Sequence, residues 1–140
     1  MKHRGNVSYF VYARNRELMA AFRRVLHEKT YFDVNSDFEL VVNTPCSRFW
    51  VSEERAKNVI ADMIVGKDVL SNMHPSKQEM YLEIYRRVIE KQKTSNNTLY
   101  NIIFDVVNSE APKFYMHPIY ARNIIYKMKH GHFKYHSRIQ

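Results

Sequence analysis

Apolar side chains recur at helical spacing along most of this chain. Leu18, Ala21, Phe22, Val25 and Leu26 fall at i, i+3, i+4, i+7 and i+8, which predicts an amphipathic helix from about residue 12 to about residue 29. Tyr81, Ile84, Tyr85, Val88 and Ile89 repeat the stripe. There, Ser76 and Glu79 have the spacing of a capping box, so that helix is expected to run to about Lys93. Two shorter stripes, Ala56-Val59-Ile60-Met63 and Ala121-Ile124-Ile125-Met128, predict a third kind of helix. Ser52 is a good N-cap for the first of these, with Glu53 and Glu54 in its first turn. Pro118 stands where the second begins, and Gly66 and Gly131 stand where the two end.

Two apolar runs remain, Asp37–Val42 and Leu99–Val107. Within the first, Glu39-Leu-Val-Val taken alone is also compatible with a strand. The second is too long and too evenly apolar for an edge strand, and both are expected to be short helices. Ser36 and Thr98 are their expected caps, and Asn43 and Asn108 their left-handed stops. Between the short helices and the last ones lie segments with Pro45 and Pro112, which forbid helix continuation.

These elements come in pairs. Val41–Gly66 aligns with Val106–Gly131 without a gap, and nine of the 26 pairs are identical. Upstream, Phe22-Arg-Arg-Val-Leu matches Tyr85-Arg-Arg-Val-Ile at an offset two residues shorter. The expected fold is therefore all-α: a tandem duplication of a trihelical unit (helix, short helix, extended turn, helix), helix-turn-helix-like in outline and sharing one core. Residues 1–70 are the first repeat with a short basic arm, 71–133 the second, and 134–140 a basic aromatic tail.

Composition agrees. Three Gly and four Pro leave few obligatory turns, and 45% hydrophobic residues suffice for a core. The single Cys46 excludes an internal disulfide and a Cys-rich zinc cluster. No apolar run is long enough to span a membrane, and the basic N-terminus lacks the apolar stretch of a signal peptide, so a cytoplasmic protein is expected.

Charge turns the reading toward function. The net charge is +8, and no acidic side chain follows Glu110, whereas Lys113, Arg122, Lys127, Lys129, Lys134 and Arg138 do, with four His. Such one-sided charge attracts polyanions, although a basic tail also serves solubility. Both copies of the last helix carry a cation followed by Asn: Lys57-Asn58 and Arg122-Asn123. Asn bonds adenine bidentately, and Arg or Lys bonds guanine or phosphate. With Tyr126 and Lys127 these are candidate nucleic-acid contacts; the alternative is an ordinary solvent face. Arg48-Phe49-Trp50 and Lys113-Phe114-Tyr115 set a cation beside aromatics, with Tyr135 a further exposed candidate. They suit a stacking platform, but more readily the anchoring of a turn with the cation reaching outward. Arg86 and Arg87 serve phosphates or pair with acids on their own helix. His130, His132 and His136 lack a supporting carboxylate, so no metal and no cofactor are expected. No phosphate loop, His-Glu-x-x-His or Gly-x-Ser-x-Gly occurs, which argues against an enzyme.

The phrases Val41–Ile60 and Val106–Ile125 resemble a pattern of short uncharacterised bacterial and phage proteins, close to V-V-N-S-x-A-P-R-F-Y-V-S followed by E-x-A-x-x-V-I. Cys46-Ser47 departs from it where Ala-Pro is usual. The resemblance spans about 110 residues; it implies a mobile-element or phage context and no catalytic residues. The expectation is a non-catalytic protein that binds DNA or RNA. The alternatives are an accessory subunit of a larger nucleoprotein or enzyme complex, docked through Trp50, Tyr115 and Tyr135, and a structural phage protein.

Overall fold

The computed structural model describes residues 8–28 and 33–131. Six helices fill them: α1 (Tyr9–His27), α2 (Val34–Val42), α3 (Glu53–Ile64), α4 (Pro75–Gln92), α5 (Leu99–Val107) and α6 (Pro118–Lys129). Among the described residues the only extended pairing is an isolated antiparallel bridge between Cys46 and Ala111. The aligned stretches give helices of equal length: nine residues in α2 and α5, twelve in α3 and α6.

Capping explains most of the boundaries. Ser52 and Thr98 accept from the backbone N–H three residues on, as anticipated. Pro118 is the first residue of α6, where its missing N–H costs nothing, and the His117 Nδ1 accepts from Ile119 N. Gly66 and Gly131 lie just beyond α3 and α6 with φ of 87° and 77°, the conformation only glycine adopts without strain.

Three helix starts differ from expectation, the first being α1, which begins at Tyr9 instead of about residue 12, with Ser8 accepting from Val11 N as its cap. α2 starts three residues before Asp37, capped at Asp33. Ser36 is not the cap; its hydroxyl donates to Asp33 Oδ2 at 2.6 Å, and the buried Asp37 accepts from Asp33 N at 2.7 Å. α4 begins at Pro75 with His74 before it, so Ser76 lies inside the first turn instead of capping it. Proline's fixed φ is already helical, and that outweighs the Ser-Glu spacing. Asn43 and Asn108 do end their helices, but at φ of −93° and −92°, not in the left-handed region.

The packing crosses the sequence halves. The chain forms two compact units, one from residues 1–44 and 116–140, the other from residues 45–115. In the first, α6 packs on α1 and α2; in the second, α3 packs on α4 and α5. Neither stretch 1–70 nor stretch 71–133 is a compact unit by itself: each core draws its third helix from the other half. The first unit buries Leu18, Ala21, Phe22, Phe38, Val41, Ala121, Ile124 and Ile125. The second buries Phe49, Ala56, Ile60, Tyr81, Ile84, Val88, Ile103, Val107 and Phe114. Leu26, predicted to be inward, is exposed, and Val25 and Met63 are half-buried.

Candidate nucleic-acid interface

The cations of the second unit are mostly held by carboxylates. Lys113 Nζ lies 2.6 Å from Glu79, and Arg48 Nη1 lies 3.6 Å from Glu53. Arg86 and Arg87 both bind Glu83, at 2.7 and 2.8 Å. Hydrogen bonds from Arg86, then Arg87, hold the Glu83 carboxyl below the usual range. Arg87 also donates to the Glu110 carbonyl at 2.8 Å and lies 5.0 Å from the centre of the Phe49 ring. It thereby ties α4 to the extended segment. Arg48 donates to the carbonyls of Phe49 and Val51 and sits 5.4 Å above Trp50. Four of the candidate contacts, Arg48, Arg86, Arg87 and Lys113, are thus engaged within the protein.

The aromatics of this unit are engaged as well. Phe49 and Tyr115 stack at 5.9 Å, Tyr115 is only 8% exposed, and Trp50 is half-buried. Cys46 and Ala111, aligned in the two stretches, exchange both backbone hydrogen bonds at 2.9 Å. The buried Cys46 thiol donates to the carbonyls of Arg48 and Lys113, again an aligned pair. This is the packing of a structural anchor.

In the first unit the cations meet rings instead. The Arg14 guanidinium lies 5.8 Å from the Tyr120 ring, Arg16 5.8 Å from Tyr12, and Lys129 Nζ 5.6 Å from Phe22. Such contacts attract a cation but leave its charge uncancelled. Among the described residues, no carboxylate pairs with Arg14, Arg16, Arg23, Arg24, Arg122 or Lys129. Arg14–Tyr120 and Phe22–Lys129 occur in the same order along both helices, so α1 and α6 run in the same general direction. Arg122, Asn123, Tyr126, Lys127 and Lys129 are all exposed on α6, with Tyr126 65% exposed.

The partition also sorts the charge. Residues 45–115 carry 10 Lys/Arg and 9 Asp/Glu, a net of +1. Residues 1–44 and 116–140 carry 12 and 5, a net of +7. Lys57 and Asn58 sit on α3 in the nearly neutral unit, half-buried and exposed respectively. Lys134, Tyr135 and Arg138 lie outside the described residues, as do His132 and His136 of the histidine-rich segment. Among the described residues no cluster of metal-ligating side chains occurs.

Sequence reasoning missed Arg14, Arg16, Ile119 and Tyr120. The alignment held a signal for the last two: Glu54 and Arg55 stand at their positions in the aligned stretch, so neither position is a core position. No protein family matches the chain, and neither does any curated protein or solved structure.

Proposed function

We propose that this chain is a non-catalytic nucleic-acid-binding protein whose contact surface is α6 with the neighbouring cations of α1. The supporting observation is that, among the described residues, no carboxylate pairs with Arg14, Arg16, Arg23, Arg24, Arg122 or Lys129 of one compact unit, whereas the cations of the other unit are largely neutralised. Phosphate binding releases condensed counterions, and unpaired Arg and Lys contribute most because they need not first break an ion pair. A phage or mobile-element setting, inside the cell, accompanies this reading on the strength of the resemblance in Val41–Ile60 and Val106–Ile125. Among the described residues, no helix is long and apolar enough to cross a membrane. Docking through Trp50 and Tyr115 as an accessory subunit has little exposed ring surface to draw on.

Fluorescence anisotropy with labelled oligonucleotides tests the proposal. Binding is expected at low salt, with affinity falling steeply as salt rises. Arg122→Gln and Lys129→Gln each reduce the salt slope by about one. Absence of binding at low salt, or indifference to salt, overturns the reading.

A further inference from the structure

Building on that reading, we infer that the target is B-form duplex DNA, entered through its major groove by α6. The first warrant is how α6 distributes its side chains. At 3.6 residues per turn, Ile119, Asn123, Tyr126 and His130 align along the side opposite the buried Ala121, Ile124 and Ile125. Arg122 and Lys129 flank this line on one edge. Lys127 flanks it on the other, with Tyr120 and the Arg14 guanidinium that rests on its ring. A short apolar and amide centre between two cationic edges complements a groove floor of bases walled by two phosphate strands.

The second warrant is shape. A helix about 10–12 Å across fits a B-form major groove about 12 Å wide, but not the deep, narrow one of A-form RNA. Asn123 then faces adenine bidentately, and the Ile119 side chain suits the methyl of thymine. A stacking platform for unpaired bases would need bare ring faces. Here the Arg14 guanidinium, 5.8 Å from the ring centre, already occupies one face of Tyr120. The corresponding line on α3 begins at Glu54 and is flanked by Asp62, carboxylates that phosphates repel. The groove-reading surface therefore belongs to α6.

The full chain is titrated against one duplex of about 20 bp, the matching RNA duplex and one DNA strand. The DNA duplex is expected to bind at least about tenfold more tightly than the others, and selection from random duplexes to enrich a site containing an A·T pair. Asn123→Ala, an exposed substitution, lowers preference for that pair by roughly tenfold. Circular dichroism verifies that the variant is folded. Equal affinity for the three nucleic acids, or no enriched site, overturns the groove assignment and leaves the broader proposal standing. No binding to any of them overturns both.

Discussion

Tyr115 has the only positive φ outside glycine among the described residues, at 58°. A side chain in that region costs about 1–2 kcal/mol, so its surroundings must hold it there. They do: its ring stacks on Phe49, and the Lys113 ammonium lies 5.7 Å from its centre. Burial first, then the charges of Glu83 and Glu79, pushes the phenol up to about 12. Below pH 10 the phenol is neutral both folded and unfolded and has no effect on the pH dependence. Above it the unfolded chain loses the proton while the folded chain keeps it. Stability therefore falls with rising pH by up to about 1.4 kcal/mol per unit until about pH 12. Urea midpoints at pH 8 and above pH 10 should show a smaller loss for Tyr115→Phe than for the parent; equal losses would contradict the assignment. At this scale the sequence was partly legible. The Arg-Phe-Trp and Lys-Phe-Tyr phrases read correctly as anchored turns, but their cations turn back onto carboxylates and carbonyls of the protein instead of reaching outward. The left-handed backbone was not readable, because tyrosine has no preference for it.

Helices were legible wherever an apolar stripe met a cap. Thr98 and Ser52 were readable because a hydroxyl in that position satisfies an otherwise orphaned N–H. Ser36 was misread, since α2 starts one turn earlier, after Asp33, and the Ser36 hydroxyl donates to the Asp33 carboxylate instead of accepting from a backbone N–H. The two positions therefore separate under mutation. Thr98→Ala is expected to cost about 1 kcal/mol in chemical denaturation, and Ser36→Ala distinctly less. Comparable losses would restore Ser36 as a cap. The choice of packing partner was not legible at all. A hydrophobic stripe marks which face is buried, not what covers it. α3 and α6 carry nearly the same stripe, Ala56-Val59-Ile60 and Ala121-Ile124-Ile125, so periodicity cannot assign either to α1–α2 or to α4–α5.

For the molecule as a whole, the crossing of the third helices changes how its charge is read. Counted along the chain, the second half is the basic one. Counted by compact unit, the excess lies in residues 1–44 and 116–140, joining Arg14, Arg23 and Arg24 to α6. The other unit is one continuous stretch, 45–115, with its own buried residues and a network of ion pairs. Expressed alone, that stretch should be helical, unfold cooperatively on heating, and bind nucleic acid far more weakly than the full chain. A non-cooperative melt would show that it depends on the remainder.

The discontinuity of the basic unit bears on its synthesis. The ribosome delivers α1 and α2 first, then everything from Pro45 to Tyr115, and α6 only afterwards. Until then Leu18, Phe22 and Val41 lack the helix that covers them. A nascent or prematurely terminated chain thus presents α1 and α2 with an open apolar face, a substrate for chaperones and proteases, and never displays the cationic helix. The proposed DNA-facing surface and the cover of that apolar face arrive together, with the synthesis of α6.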